Sequence, residues 1–581
     1  MIKTLYDYAN LLKDDPSLKS YFSPAENPFE GREEKGKVLI GIIEKGKFKG
    51  FELENFKSLE IDNYLYRRPA GARGTNTVPT LMVNKAAPEK TSGKIIKSID
   101  NYNHLFIDNR EIDAITTALE AYSFHKDYSY LVTFKLDGKY FGEFEKYKNV
   151  FNNEAYNKYF KKSYGNSKKE EQLCALTGEI STVYGFVDVL GFTVDAESFR
   201  RNGFNASHAY KMFPVSEKAI PVLEGSKSIL LNKLAASFYG QLKYALVPHF
   251  IFLKDKEIGI EVSENFLTKA ALNVDSKEDA GSYAFVNDSE SLLQKIIEDD
   301  DLKRSDIYYA LLFFEQQQAQ FKVYLEINDI VPSRINHVLN AKIEAEERYK
   351  HFNSYQTKEG RIISQRITLY RLREYFRTGE NDLQPSYFKL VNSIFTGQPY
   401  NDSKLVSLVL NTWKKSFKKH FNQEENTFSK TVKHSLGNLY FLHLIGIFKK
   451  QDIMKEQTNL AEKQDAFSFI ENHPAYFTKE YLKGAFIFGC LVTRLFYNQP
   501  GKAFMKELNG LSIDKGIVIK KFPKLIAKLR QYDKEFSDLE SAAQRYFAIN
   551  DNATKDEISF SFAMGLVLQK DFDRLNKKDN Q

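Results

Sequence analysis

Cys174-Ala-Leu-Thr177-Gly178 and Phe213-Pro-Val-Ser216-Glu-Lys-Ala219 are the two stretches on which the reading of this chain turns. With cysteine at 177, 216 and 219 they would be the C-x-x-C-G and F-P-V-C-x-x-C knuckles of a zinc ribbon. Of the four ligand positions only Cys174 keeps its sulfur. A structural zinc site closes a tetrahedron of Cys or His side chains, and threonine, serine and alanine do not replace three of them. The spacing therefore predicts a degenerate ribbon-like insertion over residues 165–250. With no metal ligated, packing around Phe213, Pro214 and Leu223 must hold it together.

On the N-terminal side of this insertion the pattern is mixed α and β. A short helix is expected near residues 2–13. Val38-Leu-Ile-Gly-Ile-Ile43 and Phe51-Glu-Leu-Glu54 flank a Gly-Lys turn as antiparallel strands do. Leu136-Asp137-Gly138 joins Tyr130-Leu-Val-Thr-Phe134 to Tyr140-Phe141, and Asp-Gly is a strong hairpin signal because both turn residues adopt positive φ. Val331-Pro-Ser-Arg334 opens a long helix running to Lys350, with proline where a first turn favours it. From residue 361 onward apolar residues recur at helical spacing: Ile362, Ile363, Ile367, Leu369, Leu372 and Phe376 begin the series. The fold class expected is α+β: a mixed N-terminal body over 1–355 carrying the insertion, then a helical-bundle domain over 361–581.

A chain of 581 residues exceeds one ordinary domain. Its two cysteines, Cys174 and Cys490, exclude a disulfide framework and fit a reducing, cytoplasmic compartment. The N-terminus shows no signal-peptide pattern, and apolar runs such as 485–492 are too short to span a bilayer, so no membrane partner is expected. The charge is segregated: residues 361–581 hold 35 Lys and Arg against 24 Asp and Glu, whereas residues 1–360 hold 48 against 52. A positive surface of this kind suits a polyanion, although a merely soluble basic domain has the same composition.

Near the C-terminus Phe486-Ile-Phe-Gly489-Cys-Leu-Val492 is echoed by Phe562-Ala-Met-Gly565-Leu-Val-Leu568. Glycine-mediated packing of two helices explains the echo better than a repeat array does.

The surroundings of the two knuckles carry a resemblance. Tyr184-Gly185-Phe186, Leu223-Glu-Gly225, Phe238-Tyr-Gly240 and Tyr244-Ala-Leu-Val-Pro248-His-Phe250 resemble the large subunit of the type I-B CRISPR Cascade surveillance complex, in its Csh-type family. Tyr64-Leu-Tyr-Arg67-Arg68, Val331-Pro-Ser-Arg334, Phe488-Gly489 and Leu508-Asn-Gly510-Leu511 agree with it. The resemblance implies a non-catalytic subunit without cofactor that contacts the 5′ handle of the CRISPR RNA. It also implies recognition of a short motif beside the target in double-stranded DNA, stabilisation of the R-loop with its displaced strand, and recruitment of a helicase-nuclease. Backbone, handle-binding and small subunits of the complex are the further partners implied. In such systems base pairing reads the sequence while protein reads a few base pairs and the backbone. The family also suggests a separate small subunit translated internally, for which Met454 would start a product over 454–581; an ordinary methionine at a helix start is the equal alternative.

Three groups of residues are candidates for nucleic-acid contact. The loop over 67–85 combines Arg67, Arg68, Arg73, Asn76 and Lys85 with Gly71 and Gly74, so that arginine forks can meet phosphate or guanine at close range; a solvated loop is the plain alternative. Trp413-Lys414-Lys415-Ser-Phe417-Lys418-Lys419 places Lys414 with Lys418, and Lys415 with Lys419, on neighbouring faces of a helix. Trp413 and Phe417 are expected to anchor that helix in the core. Lys520, Lys521, Lys524, Lys528 and Arg530 form a second stripe. For metal-dependent catalysis the sequence offers only the run Glu298-Asp299-Asp300-Asp301, which reads more simply as a solvated helix end. Walker A, dinucleotide, G-x-S-x-G and H-E-x-x-H patterns are absent. The competing function is therefore a metal-dependent nuclease or RNA-processing subunit built on that run.

Overall fold

The computed structural model describes residues 1–67, 78–102, 109–194, 205–250, 256–271, 307–317, 320–348, 354–356, 362–364, 366–378, 381–382, 384–421, 427–448, 465–474, 476–498, 500–549 and 551–578. The chain forms two compact units. One comprises Met1–Ala236, Leu242–Leu272 and Leu312–Val323, and the other Ser237–Gln241, Asn273–Leu311 and Tyr324–Gln581. As expected, the N-terminal part is mixed α and β and the C-terminal part helical.

In the first unit, helix α1 (Ile2–Leu12) buries Leu5, Tyr8, Ala9 and Leu12. The main sheet is built from β1 (Gly36–Glu44), β2 (Lys47–Asn55), β3 (Leu81–Met82), β4 (Ser129–Leu136) and β5 (Lys139–Tyr140), in the order β2-β1-β4-β3 with β5 beside β4. Lys45 and Gly46 turn the first hairpin at φ 49° and 75°, and Asp137 and Gly138 turn the β4–β5 hairpin at 46° and 82°. Two successive positive φ values match the right-handed twist of the flanking strands. Asp137 also ties the two turns together, its carboxylate accepting the Lys45 N–H at 2.8 Å. Between β1 and β4 the pairing is parallel, from Gly36 opposite Ser129 to Ile43 opposite Leu136. The connection between these strands includes α2 (Pro88–Tyr102) and α3 (Asn109–Glu120). Ile95, Ile115 and Leu119 join Val38, Leu39, Ile40, Leu131, Val132 and Phe134 in one core.

Within residues 165–250 lies a small antiparallel sheet of β6 (Lys168–Leu173), β7 (Ile180–Tyr184) and β8 (Val215–Ser216), with β7 central. Its small core holds Phe186, Val194, Ala206 and Ala209, with Phe192 and Met212 packed against it. Phe213 lies edge-on to Phe192 at 5.0 Å. After β8 comes α4 (Ala219–Ile229), beginning at the last knuckle position and burying Leu223.

In the second unit α5 (Pro332–Arg348) starts at the proline predicted to open it. It is followed by α6 (Gln384–Thr396), α7 (Asp402–Phe421), α8 (Phe428–Leu444), α9 (Glu480–Asn498), α10 (Lys515–Gln531), α11 (Ser537–Ala548) and α12 (Lys555–Lys578). Arg334, from the first turn of α5, donates from Nε to the Ile394 carbonyl at 2.8 Å and from Nη1 to the Ile445 carbonyl at 3.0 Å. Those carbonyls lie at the C-terminal ends of α6 and α8, where backbone acceptors lack partners of their own and a cation is favoured. Trp413 is fully buried in α7 and stacks on Phe560 of α12 at 4.3 Å, and Phe417 meets Phe428 edge-on at 5.2 Å. Both aromatics anchor the helix, as their spacing implies.

A candidate nucleic-acid interface

Helix α7 is long because its apolar residues, Leu405, Val409, Trp413 and Phe417 among them, recur every fourth position and are buried together. The intervening lysines are left at its surface. Lys414 reaches Asp556 at 3.9 Å, and Lys415 donates to the Arg377 carbonyl at 3.0 Å. Lys418 and Lys419 are exposed.

The second stripe lies on α10, which begins at Asp514, an N-cap whose carboxylate accepts the Ile517 N–H at 2.9 Å. Val518, Phe522, Leu525, Ile526 and Leu529 face inward. On the outer side Glu507 gathers three lysines: Lys521 at 2.8 Å, Lys524 at 3.8 Å and Lys528 at 3.9 Å. The Lys521 hydrogen bond, with the charges of Lys524 and Lys528, holds the Glu507 carboxyl below the ordinary carboxylate range. Arg530 pairs with Glu540 at 3.5 Å, while Lys520 is exposed with no ion-pair partner among the described residues.

Glu507 belongs to a 3₁₀ segment, Pro500–Leu511, that the charge pattern alone did not single out. The preceding residue, Lys506, lines a cavity of about 360 Å³ together with Lys414, Lys415, Phe417, Lys418, Met505 and Gly510. Two successive residues of this segment thus meet the two basic stripes, Lys506 toward α7 and Glu507 toward α10. Phe504, Leu508 and Leu511 are buried beneath them. The alternation of these apolar anchors with Lys506 and Glu507 is the signal that could have found the segment.

The N-terminal candidates are placed differently. Arg67 lines a polar cavity of about 560 Å³, shared with Lys158, Lys227 and the carboxylates of Glu26, Glu30, Glu33 and Glu224. Lys85 gives its ammonium to the carbonyls of Lys126 and Tyr128, both at 2.7 Å, and of His125 at 3.4 Å. Arg68, Arg73 and Asn76 lie outside the described residues, as do the acidic run 298–301 and Met454.

At the knuckles the Ser216 N–H donates to Cys174 Sγ at 3.3 Å, and the Ala175 N–H to the Pro214 carbonyl at 2.8 Å. The first turn closes through the Gly178 N–H on the Cys174 carbonyl at 3.0 Å, with Gly178 at φ 73°. Burial pushes the Cys174 thiol up, but hydrogen bonds from Ser216 and Thr177 outweigh it and bring the pKa down to about 7. Three of the four ligand positions therefore form one hydrogen-bonded cluster. Among the described residues no group of three or more His, Cys, Asp or Glu side chains could hold a metal ion. Nor, among them, is any helix long and apolar enough to cross a membrane.

Three family models match the chain in succession: the N-terminal domain of CRISPR-associated protein TM1802 over residues 25–153, the central domain over 171–330 and the C-terminal domain over 367–580. No curated protein matches it. With all three domains present in order over most of its length, the chain belongs to the CRISPR-associated protein TM1802 family.

Proposed function

We propose that this CRISPR-associated protein is the non-catalytic large subunit of a type I-B RNA-guided complex that targets DNA. In this reading it contacts the 5′ handle of the CRISPR RNA and reads the motif adjacent to the target. It also stabilises the R-loop and recruits a helicase-nuclease. The observation that supports it most is that Lys506 joins Lys414, Lys415 and Lys418 of α7 around one cavity, while the adjacent Glu507 pairs with Lys521, Lys524 and Lys528 of α10. Such a surface can follow a phosphate backbone without reading sequence, as a subunit that leaves sequence to base pairing requires. Arg67 and the residues after it are assigned to the RNA handle or the motif duplex.

The test is to purify a tagged copy from its host and sequence the RNA that accompanies it. Short RNAs sharing one 5′ tag are expected, and random cellular RNA, or none, overturns the reading. Incubation of the complex with magnesium and target DNA, without a helicase-nuclease, is expected to leave the DNA whole. Cleavage that disappears on Asp299→Ala and Asp300→Ala would assign catalysis to the acidic run instead.

A further inference from the structure

Helix α2 (Pro88–Tyr102) is amphipathic, and its outer face carries a row of cations. Thr91, Ser92, Ile95, Ser98 and Ile99 are buried. Lys90, Gly93, Lys94 and Lys97 fall on the opposite side, at the three-, four- and seven-residue spacings that share one helix face. Lys90 and Lys97 are exposed and Lys94 partly so, and none of the three ammonium groups has an ion-pair or hydrogen-bond partner among the described residues. In this they differ from the lysines that pair with Glu507 on α10, and from Lys85, whose ammonium is taken up by three carbonyls.

Gly93 lies in the middle of this row, and nothing in its surroundings requires a glycine. It is well inside the helix, where glycine is less favourable than alanine. Its φ is not positive, and a Cβ built on it would meet no atom within 4 Å. Such a residue neither turns the chain nor admits another part of it, so the bare backbone is open only from outside. A local rule broken with no return inside the fold points to function.

We infer that the outer face of α2 is a track for the sugar-phosphate backbone of single-stranded RNA, which lies against the bare helix at Gly93 while Lys90, Lys94 and Lys97 neutralise successive phosphates. From Lys90 to Lys97 the helix advances about 10 Å, so the three ammonium groups can follow one strand. The row holds no apolar side chain for the core of a protein interface, whereas charge and open backbone suffice for phosphates. The choice of RNA rests on the reading of this protein as a subunit of an RNA-guided complex, and adds to it an N-terminal contact besides Arg67.

The experiment titrates the full chain with oligo-U, with oligo-dT of the same length and with a DNA duplex, at several salt concentrations. Two variants are compared with the parent: Lys90→Gln, Lys94→Gln and Lys97→Gln combined, and Gly93→Gln alone. Glutamine is a good helix former, and the space above Gly93 is open. The triple variant is expected to bind oligo-U on the order of 10-fold or more weakly at about 0.1 M salt, with the plot of log affinity against log salt flattened by about 0.7 for each lysine. Gly93→Gln leaves every charge in place. It is expected to raise the melting temperature and yet to weaken oligo-U binding several-fold, a divergence that a merely structural role would not produce. An unchanged salt slope in the triple variant overturns the track. So does a Gly93→Gln variant that binds as the parent does, or one that melts lower and so shows a packing need for the glycine. Tighter binding of oligo-dT or the duplex than of oligo-U by the parent overturns the assignment to RNA. Failure of the parent to bind oligo-U at low salt overturns the track alone, because the RNA-guided reading falls only if no RNA with a shared 5′ tag accompanies the purified protein.

Discussion

Gly489 of α9 and Gly565 of α12 face each other where the two helices cross. A Cβ on Gly489 would lie 2.1 Å from the Phe562 carbonyl oxygen, and one on Gly565 would lie 1.9 Å from that of Phe486. The two backbones are in contact, and Thr493 Oγ1 closes the same seam by donating to the Leu566 carbonyl at 2.6 Å. This is the packing that the repeated Phe-x-x-Gly pattern implies.

Gly489→Ala and Gly565→Ala are each expected to destabilise the C-terminal unit by about 2–4 kcal/mol, because a methyl group forces the helices apart. Helix propensity alone predicts the opposite sign, a gain of about 1 kcal/mol for alanine. Thermal melting separates the two, and an unchanged or raised transition would show that the crossing is looser than described.

Glu507 pairs with Lys521, Lys524 and Lys528, three of the lysines proposed to meet phosphate. Glu507→Gln removes that competing charge, so binding of single-stranded DNA is expected to tighten. The plot of log affinity against log salt should steepen by about 0.7 for each lysine released to a phosphate. Replacing Lys415, Lys418 and Lys419 by Gln has the opposite sign and flattens the plot. If neither change moves the slope, these lysines are a solvated face.

Because the Cys174 cluster is closed by hydrogen bonds, a chelator such as EDTA is expected to leave the melting temperature of the N-terminal unit unchanged. The same cluster sets a pH dependence. Cys174 titrates at about 7 in the folded chain, below the value near 8.5 of a free thiol. The folded state therefore binds fewer protons than the unfolded state between those values, so stability rises with pH across that window. The contribution, about 1–2 kcal/mol, is complete above it and is lost as pH falls through 7. Melting curves from pH 6.5 to 9 measure this rise, and Cys174→Ser should flatten it.

Arg334 holds two carbonyls on separate nitrogens of one planar group. Arg334→Lys keeps the charge but lacks the fork, so one carbonyl is stranded. A loss of about 1–3 kcal/mol is expected, and Arg334→Met should lose more, both read as a fall in the melting temperature. A lysine variant as stable as the parent would mean that charge alone suffices at these helix ends.

What the sequence disclosed follows from the range of each interaction. Asp137-Gly138 announces its hairpin because the turn needs nothing beyond its own two residues. The stripes on α7 and α10 are legible because residues four apart share a helix face wherever the helix lies. The parallel pairing of β1 with β4 is not announced locally, since each strand's pattern suits any buried neighbour. Lys85 reads as a cation for nucleic acid, but the carbonyls that surround its ammonium come from residues 125–128, which no local pattern links to it. Lys506 and Glu507 were missed for a different reason: Phe504, Leu508 and Leu511 recur at helical spacing, but the two opposite charges between them make no basic stripe. The two knuckles show the converse, for their spacing brought Cys174, Thr177 and Ser216 together although the ligands that would justify it are gone.

The stacking of Trp413 on Phe560 bears on how the last part of this protein could be inherited. Helices α9 and α12, with their glycine crossing, both lie within residues 454–581, so a polypeptide begun at Met454 would keep that crossing intact. It would leave behind α7 and with it the indole that covers Phe560. The seat of Trp413 would then stand open, and Asp571, buried on α12, would lose Lys433 as its partner.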